Sequence, residues 1–565
     1  MLFDDIYRQI GEFKLGQILL YIILMLIGMM AGWHHVSITF LAADMPHWCL
    51  VPELENFSHD QQKHIAVPMV DGKYDSCHIY KLNYSSFSNE TLVNWNRTQL
   101  GLADAEIQKC TNGWVYDQTV FSLTAINQWD LVCDKAYLVS MIQTIYMAGV
   151  MVGCLVFGQL SDRIGRVKTI VFCSFFWTIF ALAAAFVPNY IAFVALRFCV
   201  GALAAGAYTT SFVISMEIIG PSARMETGIF VQGFFALGIM TLSGLSYAIR
   251  DFVKLQLVLG ICPLIFVSYY WLVPESPRWL ITHNKEKEAM AVLHKIAQFN
   301  GTKVPENLSL DDNKNGGEED KAVLFDLFKT PRMRIITLCM WMAWLTTSIT
   351  YYGLSLGVSL LEGDLFFNNF LTGIVEIPAY FGSIIALKFV GRRWPTIVTF
   401  LGAGLFNLLS IPFLNKDTMQ TALITMMMLG KAFGSACFAI LYVFAAELFP
   451  TVLRNVGVGS SSMMARVGGL IQPQIALLDQ LWIPGPFLVY GVLSVVGALV
   501  SIVFPETRNK KLPETLEEAE NFGKKELPSD EEMAKPNPNF ESEKGALEEP
   551  GINPASNGHI EFSKF

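Results

Sequence analysis

Three ionisable residues sit where a chain of this composition should tolerate none. Glu376, Lys431 and Arg466 each fall near the middle of a long apolar run, at 367–389, 419–444 and 455–478. A charge placed at the depth of a bilayer core is costly, so such residues face one another or a polar cavity. Two cations and one carboxylate facing one cavity leave a surplus of one positive charge, which suits a ligand carboxylate. Arg466 is the strongest candidate to take it, because a guanidinium grips a carboxylate through two parallel hydrogen bonds where lysine offers a point charge. A structural triad is the plainer alternative. Six aromatic residues in neighbouring runs, Tyr208, Trp344, Tyr351, Tyr352, Phe438 and Tyr442, offer faces that attract an organic cation. Together the charges and rings point to a small organic zwitterion or ion, held without covalent chemistry.

These residues need a membrane scaffold to position them. The 565-residue chain is 53% hydrophobic and 16% charged, with a formal net charge of −9, which fits a membrane protein rather than a soluble one. The apolar runs lie near 15–41, 138–160, 169–187, 190–214, 228–249, 253–273, 333–353, 367–389, 394–412, 419–444, 455–478 and 485–504. Each approaches the roughly 20 residues that a helix needs to cross the hydrocarbon core. The sequence therefore predicts an all-α membrane protein of twelve transmembrane helices. With the amino terminus inside, Arg163, Arg166, Lys168, Arg224, Lys388, Arg392, Arg393 and Arg454 fall in inner turns, while the short outer turns hold Arg250, Lys254 and Lys416. Both termini are then cytoplasmic.

That orientation puts the polar stretch 43–134 outside. Asn56, Asn83, Asn89 and Asn96 each head a glycosylation sequon there, while Asn300 and Asn307 fall inside and stay silent. Cys49, Cys77, Cys110 and Cys133 lie in the same stretch, and four oxidised cysteines allow three pairings. The plainer reading of this loop is a loosely folded glycosylated shield.

The chain also repeats itself. Glu217-Ile-Ile-Gly-Pro-Ser-Ala-Arg224 is echoed by Glu447-Leu-Phe-Pro-Thr-Val-Leu-Arg454, Pro274-Glu275-Ser276 by Pro505-Glu506-Thr507, and Gly165-Arg166 by Gly391-Arg392. Polar marks repeated at matching inner ends predict two six-helix repeats, the plan of a transporter built from parallel halves. The divisions are then an inner terminus at 1–14, a first half at 15–273, a polar connector at 274–332, a second half at 333–504 and an acidic inner tail at 505–565. Asp162, Arg163, Arg166, Glu217, Arg224, Glu447 and Arg454 are the candidate gating charges. They are expected to pair across the halves and part when the inner side opens. Positive-inside anchoring explains the arginines but not the matched glutamates.

Enzyme chemistry is not indicated. No zinc-ligand cluster and no Gly-x-x-x-x-Gly-Lys-Ser/Thr loop for ATP occurs, and no cofactor is called for. The tail holds 14 acidic against 8 basic residues, so nothing resembles a nucleic-acid surface. Its final Ser563-Lys564-Phe565 offers a strand that a scaffolding domain could take up. A receptor or scaffold that keeps a carrier fold is the competing function class.

The motifs carry a resemblance. Gly158-Gln-Leu-Ser-Asp-Arg-Ile-Gly-Arg166 resembles the signature of the major facilitator superfamily. Tyr116-Asp-Gln-Thr-Val-Phe121, Asn127-Gln-Trp-Asp-Leu-Val-Cys133, Pro274-Glu-Ser-Pro-Arg-Trp279 and Glu447–Asn455 resemble its organic cation, anion and zwitterion transporter family. Tyr351–Leu356 and Val375–Tyr380 are most similar to the carnitine-type branch. The resemblance implies a major facilitator fold and a glycosylated plasma-membrane carrier working by alternating access. It also implies a substrate-facing arginine at Arg466, as in anion and zwitterion carriers, and a substrate-contacting tyrosine at Tyr208. Ala207 and Ala31 depart from asparagines of that branch, the second at a sodium-linked position. His34 and His35 could instead titrate near neutral pH, with polar packing as the duller reading. Facilitated diffusion is the default, and a polyspecific cation uniporter using the aromatics and Glu376 is the alternative.

Overall fold

A computed structural model describes residues 3–70, 72–87, 106–304, 323–361, 363–414 and 417–522. Met1–Glu520 forms one compact unit; Asn521–Phe565 is a second, of which only Asn521 and Phe522 are described.

The principal helices are α1 (Leu15–Val36), α2 (Tyr137–Ile164), α3 (Arg166–Phe186), α4 (Tyr190–Ile218), α5 (Arg224–Ala248) and α6 (Phe252–Ile261), the last prolonged by tighter turns to Leu272. After the connector come α7 (Pro331–Leu356), α8 (Leu365–Ile374), α9 (Glu376–Phe389), α10 (Arg393–Ser410), α11 (Gln420–Leu448), α12 (Arg454–Ala476) and α13 (Gly485–Ser501).

Among the described residues nine helical segments are long and apolar enough to cross a membrane, not the twelve, six plus six, that the sequence predicts. The runs at 333–353, 455–478 and 485–504 account for the difference. Thr337, Thr346, Thr347, Ser348 and Thr350 dilute α7, and Gly, Ser and Gln dilute α12. The α13 helix has 17 residues, short of a full crossing. The all-α character stands, and the described strands form only two-stranded sheets in the polar loop.

Close helix contact follows from small residues. Gly149 and Gly153, four apart on α2, lie against the backbone of Phe198 and Ala202 on α4, where any Cβ would collide with a carbonyl. This is the close approach that small residues permit between helices in lipid. The α8–α9 break has a separate cause. Pro378 in the first turn of α9 has no N–H for the carbonyl of Ile374, so one helix stops and the next starts at Glu376.

The loop between α1 and α2 is folded rather than loose. Strands β1 (His47–Cys49), β2 (Met69–Val70), β3 (Lys73–Tyr74), β4 (His78–Tyr80), β5 (Ile107–Lys109) and β6 (Trp114–Tyr116) pair antiparallel as β1–β6, β2–β3 and β4–β5. Cys49 bonds Cys110 and Cys77 bonds Cys133, one of the three open pairings. Leu54, Ile65, Ile79 and Tyr84 form a small core beside the first bridge. Asn56 and Asn83 lie in described turns of this loop, whereas Asn89 and Asn96 lie outside the described residues, as do Asn307 and nearly all of the acidic tail. The Asn300 amide is already engaged: its Nδ2 donates to the Ile10 carbonyl at 3.0 Å and to Gln17 at 2.9 Å.

Candidate functional site

The interior of the bundle holds a cavity of about 50 Å³, enough for a few waters. Helices α1, α2, α4, α5, α7, α9, α11 and α12 contribute to its wall. Arg466, Tyr208, Tyr351, Tyr352, Phe438 and Tyr442 line it, so six of the nine expected contact residues meet in one place. The rings form a connected set: Tyr351–Tyr352 centroids are 5.2 Å apart, Tyr351–Phe438 5.5 Å and Phe438–Tyr442 5.7 Å. Trp344 stands behind the wall instead. Only 1% exposed, it packs edge-on against Tyr442 at 4.5 Å and Phe438 at 5.8 Å.

The expected triad resolves into a pair and a single charge. Lys431 Nζ lies 2.9 Å from Glu376 Oε1, and the two side chains are 1% and 0% exposed. Neither lines the cavity. Lys431 also donates to Ser355 Oγ and lies over the Tyr351 ring at 3.3 Å. The other Glu376 oxygen accepts from Tyr380 at 2.6 Å and Tyr351 at 3.2 Å. A closed pair with its remaining valences satisfied carries no local charge surplus.

Arg466 therefore holds the surplus alone. Its Nη1 donates to the Ser462 carbonyl one turn back on α12 at 3.3 Å, and among the described residues no carboxylate pairs with it. An uncompensated guanidinium in a narrow, largely aromatic cavity favours any ligand that brings an anion.

The sequence reading left out several wall residues. Tyr380 and Gln232 line the cavity, as do Cys154 and Thr209. Gln232, a lone amide within an apolar run, was a legible signal. His35, read only as a titrating group, also lines the cavity; it stacks on Tyr352 at 6.3 Å and its Nδ1 lies 2.8 Å from the Ala31 carbonyl. His34 faces away, edge-on to Trp177 at 5.2 Å, with Nε2 3.1 Å from the Leu259 carbonyl.

At the end of the bundle remote from the disulfide-linked loop, one polar cluster is built twice. Gly165 and Gly391, at φ +109° and +124°, turn the chain into the next helix in a backbone region open mainly to glycine. Glu275 then accepts from the backbone N–H of Arg166 and Val167 at 3.0 and 3.1 Å, capping α3. Glu506 does the same to Arg392 and Arg393 at 2.8 and 3.0 Å, capping α10. A carboxylate at a helix start meets both free N–H groups and the positive end of the helix dipole. The arginine of each cluster forks onto a glutamate, Arg166 onto Glu217 at 3.3 and 3.1 Å and Arg392 onto Glu447 at 2.8 and 2.8 Å.

These pairs lie within each cluster, not across the bundle as expected from the sequence. Each links the end of one helix to the start of a neighbour packed on the same side. Asp162, 70% exposed, adds a contact to Arg166 at 2.8 Å, and Arg163 is exposed. Arg224 donates to the Ile219 carbonyl and Arg454 to Thr451. The pair that joins α5 to α9, across the connector in sequence, is Glu226–Lys388 at 2.7 Å.

Known proteins share both the fold and the sequence. The solved inward-open xylose transporter XylE from E. coli aligns with a TM-score of 0.57 at 15% identity, over 90% of this chain and 100% of that one. XylE bound to 6-bromo-6-deoxy-D-glucose aligns with 0.56 at 16%, over 89% and 98%. At that identity the likeness shows the fold. The organic cation transporter protein of Drosophila melanogaster is 34% identical over 94% of this chain and 96% of its own length. Solute carrier family 22 member 4 of Mus musculus is 34% identical over 91% and 94%, and the beta-alanine transporter of Drosophila melanogaster 32% over 92% and 89%. Residues 84–519 match the sugar (and other) transporter family. The chain belongs to that family: it is a multi-pass membrane transporter of the major facilitator fold, related to the organic cation, anion and zwitterion carriers, and not an enzyme.

Proposed function

We propose that the protein is a plasma-membrane secondary carrier of small organic zwitterions, with Arg466 binding the substrate carboxylate and the surrounding rings accommodating its ammonium end. The observation that carries this reading is the cavity-lining guanidinium of Arg466, which has no carboxylate partner among the described residues. Tyr208, Tyr351, Tyr352, Phe438 and Tyr442 supply the faces that favour a cation. Carnitine-like betaines and short amino acids fit this pattern, and a relative bears the name beta-alanine transporter. Glu376 and Lys431 act behind Tyr351 by fixing its ring, and Trp344 buttresses Phe438 and Tyr442.

A cavity of about 50 Å³ is too small for such a solute, so binding requires expansion, as an alternating-access cycle supplies. In this reading both termini are cytoplasmic, Asn56 and Asn83 carry glycans outside, and the duplicated Arg–Glu clusters hold neighbouring helices together while the inner side opens and closes. Glu226–Lys388 is the contact that parts.

A simple cation uniporter is disfavoured because Glu376, its proposed anionic subsite, is already neutralised by Lys431. Uptake into proteoliposomes separates the readings. Carnitine and beta-alanine should enter saturably and be trans-stimulated, ahead of tetraethylammonium. Exclusive uptake of tetraethylammonium supports the cation carrier, and binding with no uptake supports the receptor.

A further inference from the structure

A second and larger cavity, of about 380 Å³, opens at the loop-side end. Its wall comes from the loop, the starts of α2 and the ends of α7 and α12. The polar atoms in it are mostly acceptors. Asp44 and Asp479 both line it, and neither has a cationic partner among the described residues. Gln143 and Gln472, 2% and 1% exposed, line it as well, and the Oε1 of each lacks a hydrogen-bond donor. Their Nε2 atoms are spent, Gln143 on the His35 carbonyl at 2.9 Å and Gln472 on Tyr490 Oη at 3.4 Å. His47 adds a fifth acceptor: its Nδ1 lies 3.0 Å from the Met45 carbonyl, leaving a buried Nε2 without a partner.

Buried acceptors without donors are expensive, and two carboxylates beside them make the wall negative. A ligand that brings N–H donors and a positive charge satisfies both. The vestibule also leads inward, because Gln143 bonds to His35, and His35 lines the Arg466 cavity. We propose that this vestibule is a separate binding site for the protonated amine of an organic solute, occupied before the solute reaches the central cavity. Its place before the central cavity rests on the carrier reading above; its affinity for amines does not.

Calorimetric titration of n-propylammonium, an amine without a carboxylate, into the full chain in phosphatidylcholine nanodiscs tests the proposal. Saturable binding is expected, weakened about tenfold or more in Asp44→Asn/Asp479→Asn and by added salt. Asp44→Glu/Asp479→Glu should restore it, which separates lost charge from lost fold. Arg466→Gln should leave it within about twofold, since a single charge in another cavity contributes little through screened distance. Equal affinity in the wild type and the Asn pair overturns the proposal. So does loss in Arg466→Gln with the Asn pair unaffected, because the amine then sits in the central cavity. Failure of the zwitterion reading gives a different result: unchanged carnitine affinity in Arg466→Gln, whatever propylammonium does.

Discussion

Glu376 and Lys431 hold each other at 2.9 Å with almost no solvent access, and the Tyr351 ring lies between this pair and the cavity. The neighbouring Arg466 is thereby left as the cavity's one charge without a carboxylate, among the described residues. The pairing decides which residue can meet a substrate anion.

Breaking the pair from one side should destabilise the protein more than removing it whole. Glu376→Gln or Lys431→Met leaves a buried charge uncompensated, expected to cost about 3–5 kcal/mol. The double variant should lose clearly less than the two single losses combined. Thermal unfolding of purified variants in detergent reads this out. Additive losses would mean that the two residues act independently.

The duplicated clusters should govern turnover rather than affinity. Glu447 accepts from Arg392 twice and from Thr507 at 2.6 Å, while Asp162 is 70% exposed with one arginine contact. Glu447→Gln should therefore depress the transport rate much more than Asp162→Asn, with equilibrium binding near normal in both. Parallel loss of binding and rate in well-folded Glu447→Gln would contradict a conformational role.

Glu226 and Lys388 should be exchangeable. Lys388→Glu places two carboxylates together at a contact now 2.7 Å long and should slow transport, and adding Glu226→Lys should restore most of the rate. Proteoliposome uptake measures both. A swap no better than the single change would show that position, not pairing, matters there.

Acid should loosen the second cluster. Burial works against the Glu506 carboxylate, but the backbone N–H groups of Arg392, Arg508, Arg393 and Thr507 outweigh it and hold the carboxyl below the ordinary glutamate range. A depressed folded value means stabilisation that is complete above the unfolded value and lost as pH falls through the folded one. Thermal stability of the wild type should decline below about pH 5, and Glu506→Gln should flatten that decline. Identical acid limbs in the two proteins would remove Glu506 from the account.

Much of the site was legible because intramembrane polarity is rare. Arg466 and its rings stood out by residue type and depth alone, and the repeated Glu and Arg marks announced a duplicated cluster. Partner choice was not legible. Whether Lys431 meets Glu376 or the cavity depends on how α11 is rotated against α7 and α9, which depth along a helix does not encode. The same holds for Glu217 and Glu447, whose arginines lie on adjacent helices instead of across the bundle. The span count failed where Thr, Ser and Gly dilute the 333–353 and 455–478 runs and where α13 is short. Gln143 and Gln472 were invisible as a pair because only the folded loop end brings such distant positions to one wall.

The assignment of Arg466 to the substrate carboxylate is tested most directly by equilibrium binding of carnitine and beta-alanine to folded, purified Arg466→Gln and Arg466→Lys. The account predicts a loss of roughly 30-fold or more with glutamine, since a buried charged hydrogen bond is removed, and partial recovery with lysine, which restores charge but not the two-pronged contact. Both losses should appear with thermal stability near that of the wild type. Unchanged affinity for a transported carboxylate in Arg466→Gln would contradict the central claim.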